Sequence, residues 1–306
     1  MPLLYFLEGI RTPWLDHLMA LITYLGSEAF FMVLALLFFW CIDKKQGYYL
    51  LSVGFFGTVI NQFLKLAFRI VRPWVLDPDF TIVEAARADA TGYSFPSGHT
   101  QNAVGTLGGI ARSTKKCWLR IVCVLLAVAV AFSRMYLGVH TPVDVGVSLL
   151  IAVTLVFLLW PLMQKAQKKP VGMYVVFAVM LLLAGAYVVY AQCFPFPADV
   201  DMDNLISGQK NGYSLLGALL GLILVYWVDE HWLHFETRAI WWAQILKLTL
   251  GLALVLVVKS LLKQPLLSLC GGHLAAHLLR YFMIVLTAGI IWPFTFRFFA
   301  GLGRKQ

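Results

Sequence analysis

Three short polar stretches in an otherwise apolar chain hold the residues that could do chemistry. The first is Lys65-Leu66-Ala67-Phe68-Arg69-Ile70-Val71-Arg72-Pro73, and the second is Pro96-Ser97-Gly98-His99. The third runs from Ser133 to Asp144 and carries Arg134, His140 and Asp144. Together they supply permanent cations, two histidines, a carboxylate and a Ser-Gly turn. Such groups are expensive inside a bilayer unless they meet one another at a site. The ligand they suit is a tetrahedral anion. Lys65 and Arg72 are seven residues apart, so a continuous helix would set both on one face, about 10 Å apart along its axis. Arg134 arrives from the end of a later helix. Guanidinium groups grip phosphate oxygens with paired donors, whereas lysine acts as a point charge.

Ser97-Gly98 reads as a helix start, because serine is a favoured N-cap and glycine lets an anion approach the backbone. The free amides of that helix would face the phosphate, and His99 in its first turn is placed to donate a proton. Pro142 suits the first turn of another helix, which sets His140 just before it and Asp144 within it. Carboxylate and imidazole four residues apart can meet on one face. Asp144 would then orient His140 and raise its basicity, leaving the other ring nitrogen to attack. The residues therefore point to covalent catalysis at phosphorus. His140 attacks, and His99 protonates the departing oxygen and later activates water. Lys65, Arg72, Arg134, Ser97 and Gly98 hold the oxygens, with no metal or other cofactor called for.

The ordered patterns Lys-x6-Arg-Pro, Pro-Ser-Gly-His and Ser-Arg-x5-His-x3-Asp resemble the three signatures of the type 2 phosphatidic acid phosphatase superfamily. That superfamily also includes bacterial acid phosphatases and vanadium haloperoxidases. Every signature position is filled, at residues 65–73, 96–99 and 133–144. The resemblance implies a six-helix core, a phosphohistidine on His140, His99 as general acid, and metal-independent hydrolysis of phosphate monoesters or pyrophosphates. It covers the first half of the chain; everything from Val171 onward goes beyond the signatures.

The elements that must position these residues are membrane helices. The 306 residues are 60% hydrophobic and 13% charged, against roughly 25% charged in soluble domains. The expected fold is an all-α polytopic transmembrane bundle, a six-helix core with about three further C-terminal crossings. Nine helices are expected, at about 30–42, 47–70, 97–111, 121–136, 142–163, 171–191, 213–228, 239–262 and 276–299. Residues 3–12 are read as an interfacial helix with Arg11 near headgroups. The domain reading is a phosphatase core over 1–191 and an outer acidic loop with extra helices over 192–306. Basic turns at 43–45, 112–120 and 165–169, with the tail Arg304-Lys305, alternate with the site-bearing loops. Their Lys/Arg excess marks one face as cytoplasmic. The site then opens on the opposite face, which in a bacterium is the outer leaflet of the plasma membrane.

Other features read more plainly. The net charge of +9 lies in short loops between apolar spans, which suits anionic headgroups rather than nucleic acid. Five scattered cysteines suggest neither a disulfide framework nor a zinc ribbon, and Cys193 and Cys270 are read as unpaired. Met1 to Gly9 lack the basic start of a secretory signal, so the start is read as mature protein. His273 and His277 are four apart but have no acidic or thiolate partner at ligand spacing. Arg69 is read as a supporting headgroup contact. The expected partners are the bilayer and a lipid phosphate: phosphatidic acid, phosphatidylglycerophosphate, a sphingoid-base phosphate or a polyprenyl pyrophosphate. The helices after residue 212 would line a lipid groove or form a homo-oligomer contact. The competing reading is a lipid transporter or scramblase with a vestigial site.

Overall fold

The computed structural model describes residues 1–302 and is helical, with no strand among the described residues. The basic tail Arg304-Lys305 lies outside the described residues. In chain order the helices are α1 (Pro2–Gly9), α2 (Pro13–Thr23), α3 (Glu28–Leu37), α4 (Lys44–Phe68), α5 (Pro73–Leu76), α6 (Gly98–Ser113) and α7 (Cys117–Tyr136). They continue with α8 (Pro142–Ala166), α9 (Pro170–Cys193), α10 (Met202–Val228), α11 (Trp241–Leu261), α12 (Lys263–Leu269), α13 (Ala276–Leu286) and α14 (Phe296–Gly301). Among the described residues, seven helical segments are long and apolar enough to cross a membrane. The pair 13–26 and 28–42, bent by 50°, makes an eighth if it counts as one span. All nine expected helices are present. With 16 residues, α6 extends only about 24 Å, short of the roughly 30 Å of hydrocarbon.

Contacts group the chain into two compact units: residues 1–34, 49–162 and 198–208, and residues 35–48, 163–197 and those from 209 onward that the structure describes. Helix α9, read from sequence within a core ending at 191, groups with the C-terminal helices.

In the first unit, local chemistry starts each helix where the site needs it. Thr12 caps α2, its hydroxyl accepting from Leu15 N, and Pro13 takes the first helical position. The bend after α2 brings Gly26 against the first turn of α6. A Cβ there would lie 2.7 Å from His99 O, so only glycine allows this approach. Arg11, expected near headgroups, is held by the protein itself. Its guanidinium donates to Tyr136 O (3.1 Å) and Thr81 O (2.9 Å) and lies 5.4 Å from the Phe80 ring centroid. Thr81 and Phe80 of the 77–83 loop and Tyr136 O at the end of α7 take up most of the guanidinium, and its Nη2 stays buried without a partner.

In the second unit, α10 and α13 pack backbone to backbone. A Cβ on Gly217 would fall 2.0 Å from Leu278 O, the close contact that small residues permit between membrane helices. Trp40 is fully buried and donates its indole N–H to Ala288 O (2.9 Å), inside the π-helical turn 287–291. That turn breaks the regular bonding pattern, and the indole satisfies one of its carbonyls. All five cysteines are free thiols.

Candidate active site

The three polar stretches converge within the first unit. Helix α4 ends at Phe68, two residues earlier than the sequence suggests, because Arg69 adopts the left-handed conformation (φ 50°). Arg72 is therefore the N-cap of α5, not a residue of α4, and the two-turn spacing argument for Lys65 and Arg72 does not hold. The chain reversal achieves the convergence instead. Lys65 is 8% exposed and hydrogen-bonds Tyr93 O, while Arg72 is 6% exposed. Arg72 donates Nε to Gly92 O (3.1 Å), Nη2 to Thr91 O (2.7 Å) and Nη1 to Val139 O (2.9 Å). The same Nη1 lies 2.9 Å from His140 Nε2. One guanidinium thus ties the 91–92 and 139–140 loops together. Arg69 donates to Leu66 O (2.9 Å) at the end of α4.

Asp144 does two jobs. Its Oδ2 accepts from Thr141 N (2.8 Å), and Thr141 Oγ1 accepts from Asp144 N (3.3 Å), a reciprocal cap on the start of α8. The same Oδ2 accepts from Ser94 Oγ (2.6 Å) and lies 3.5 Å from His140 Nδ1. That last separation is an ion-pair distance rather than a direct hydrogen bond. Ser94 Oγ, itself 3.5 Å from Nδ1, sits beside both groups. His140 is 1% exposed, and burial, then Arg72, Arg134, Lys65 and His99, hold its pKa well below the ordinary imidazole value. The ring is neutral near pH 7, the state in which a nitrogen can attack.

Ser97 caps α6, its hydroxyl accepting from Thr100 N (3.4 Å) and Thr100 Oγ1 (3.0 Å). Gly98 follows with open space above it: a Cβ would meet only Asn61 Oδ1, at 4.0 Å. His99 Nε2 is buried without a hydrogen-bond partner. Arg134 is fully buried on α7 and donates Nη1 to Thr23 Oγ1 (2.8 Å), yet its Nε and Nη2 are buried with no acceptor. A buried guanidinium with two unspent donors is costly, and a ligand that accepts from it explains it. Among the described residues, no three His, Cys, Asp or Glu side chains come together as metal ligands. His273 in particular accepts from Ala275 N (3.0 Å).

Sequence reasoning missed Ser94, Thr23 and Asn61, whose Nδ2 donates to Pro96 O (3.4 Å). Ser94 lies outside the recognisable patterns, and Thr23 comes from the distant α2. The Thr141-x-x-Asp144 cap was readable from its spacing alone.

The model of the PAP2 superfamily matches residues 45–168. The model described as PAP2 superfamily phosphatase, transmembrane extension, matches 213–305. Phosphatidylglycerophosphatase B of Bacillus subtilis (strain 168) is 36% identical over 152 residues, 44% of this chain and 69% of that protein. Undecaprenyl-diphosphatase BcrC of the same organism is 34% identical over 149 residues, 47% of this chain and 72% of that protein. Among solved structures, a transmembrane PAP2-type phosphatidylglycerolphosphate phosphatase from Bacillus subtilis aligns with TM-score 0.44 and 31% identity. It covers 53% of this chain and 83% of its own.

Proposed function

This chain belongs to the PAP2 superfamily, and on that premise we propose that it removes a phosphate from a membrane lipid through a phosphohistidine. The observation that carries the reading is Arg134, which buries two unspent donors in the same site as His140. His140 Nε2 forms a bond to phosphorus as the bond from phosphorus to the leaving oxygen breaks. His99, held neutral by burial and by Arg134, Arg72 and Lys65, takes up a proton as the phosphate anion binds and delivers it to that oxygen. Water, deprotonated by His99, then attacks phosphorus and breaks the N–P bond, releasing phosphate and neutral His140. Arg72 moves its Nη1 bond from Nε2 to a phosphate oxygen as the attack proceeds. Lys65, Arg134, and the α6 amides behind Ser97 and Gly98 take the remaining oxygens and the charge that grows on them. Asp144, with Ser94, fixes the ring. These groups supply positive charge without a metal ion.

Relatives are named for phosphatidylglycerophosphate, undecaprenyl diphosphate and sphingosine phosphate, so lipid phosphates are the substrate class. In this reading residues 1–191 form the catalytic core and 192–306 the extension, with the site on the face opposite the basic turns. For a bacterial plasma membrane that is the outer leaflet. The test is phosphate release by the detergent-purified protein from phosphatidic acid, phosphatidylglycerophosphate, a sphingoid phosphate and a polyprenyl pyrophosphate, with chelator present. Release that vanadate inhibits supports hydrolysis without metal. Lipid movement between leaflets with no release would point instead to a transporter carrying a vestigial site.

A further inference from the structure

A cavity of about 470 Å³ lies in the first unit between α6, α7 and α8. Each helix lines it with four residues at i, i+4, i+7 and i+8, one continuous face apiece. The floor is kept open by small side chains, Gly108 on α6 and Ala127 on α7, and Val153 and Phe157 of α8 form a wall. The lining ends in Arg112 and Arg120, where α6 finishes and α7 begins. Val104, at the other limit on α6, lies eight residues or about 12 Å from Arg112. Ser97 and His99 occupy the opposite end of α6, so the catalytic site does not account for this space.

The charge at its mouth is unbalanced. Arg112 and Arg120 are exposed, as are Lys115 and Lys116 between them. From Thr91 to Ala198 the sequence holds one acidic residue, Asp144, which is taken up by Thr141 and Ser94. Among the described residues Arg120 donates only to Thr114 O, through Nε (3.1 Å) and Nη2 (2.8 Å), and Arg112 stands over the Phe157 and Trp160 rings at 5.7 and 5.8 Å. Among the described residues neither arginine meets a carboxylate.

We propose that this groove binds one anionic phospholipid of the leaflet on the basic-turn side, an acyl chain between the three helices and the phosphate at Arg112 and Arg120. Within a bilayer an apolar groove gains nothing over surrounding hydrocarbon from burial alone, so selectivity comes from the headgroup charge and from the fit of the chain. Binding therefore discriminates by headgroup charge and weakens with salt.

The test uses the full-length wild-type protein in nanodiscs with phosphatidylglycerol carrying a photoreactive acyl chain, against phosphatidylcholine carrying the same chain. Expected is labelling concentrated on 104–112, 120–128 and 149–157, about tenfold stronger from phosphatidylglycerol. The double variant R112Q/R120Q should lower it by about thirtyfold, and Gly108→Leu, which fills the floor, should abolish it. Both variants should retain turnover of a water-soluble phosphate ester, which certifies their fold. Equal labelling from the two lipids, label spread evenly over the apolar outer faces, or label displaced by vanadate at the catalytic site would each overturn the proposal. Because the label map comes from unmutated protein, it decides the matter even if a variant does not fold.

Discussion

The two units both bury cations, and they treat them differently. In the second unit the cations, Lys247 and Arg280 buried and Lys44 half-buried, are used up. Lys44 pairs with Asp229 (2.5 Å), donates to Phe235 O (3.1 Å) and sits 4.1 Å from the Phe235 ring centroid. Lys247, 1% exposed, donates to Thr237 O (2.9 Å) and lies over the Phe296 ring at 4.5 Å. Arg280 spends Nε and Nη2 on Lys259 O. In the first unit Arg134 keeps Nε and Nη2 without acceptors, and its neighbour His99 keeps Nε2. Arg72 spends its donors as well, but its Nη1 lies on His140 Nε2, and Arg11 also leaves Nη2 unspent beside the 77–83 loop. Burial alone does not separate site from scaffold; the inventory of partners, taken with nearness to the histidines, does.

Substitutions can break that contrast. The largest effect belongs to His140→Ala, with turnover of the best lipid substrate reduced on the order of 10⁴-fold or more while the thermal unfolding temperature is preserved. Residual turnover within tenfold of wild type would remove His140 from the chemistry. The depressed pKa of His140 carries a sign. A ring that stays unprotonated below its ordinary value keeps attacking as the medium is acidified. The acidic limb of kcat/KM should therefore fall below about pH 6.5. A limb above that value would mean that burial and the cations around the ring do not hold its pKa down.

Arg134→Ala should lower kcat/KM by about 10²–10³-fold, the usual loss on removing a donor aimed at developing charge. Stability should hold or rise, since an unsatisfied buried charge is removed. The matched change in the other unit, Asp229→Asn, should do the reverse. It strips Lys44 of its partner and costs about 2 kcal/mol in chemical denaturation, discounted for the partial exposure of Lys44, while leaving turnover unchanged. Ser94→Ala is the mildest: about tenfold or less in kcat, with KM unmoved, because one hydrogen bond to Asp144 is lost while the cap from Thr141 remains.

Much of this was legible in the chain itself, for physical reasons. Apolar runs and prolines at 13, 142 and 170 mark where helices lie, because bilayer thickness and the missing amide hydrogen leave few alternatives. The histidines, cations and Asp144 were legible by type and spacing. What escaped depends on backbone geometry that no pattern encodes. The left-handed turn at Arg69 moves Arg72 off the helix that carries Lys65. The carbonyls of Thr91, Gly92 and Val139 that hold Arg72 carry no side-chain signature at all. Arg11 looked like a headgroup residue because charge near a membrane helix usually is one, and only the fold shows the loop that takes it up.

The central claim is that the unspent donors of the first unit surround a tetrahedral or trigonal phosphoryl analogue. Calorimetric titration with vanadate tests it directly, needing no knowledge of the lipid. The account predicts one equivalent bound by the wild-type protein, binding weakened about 100-fold or more in Arg134→Ala, and no change in Asp229→Asn. Vanadate bound equally by all three proteins, or by none, would contradict it.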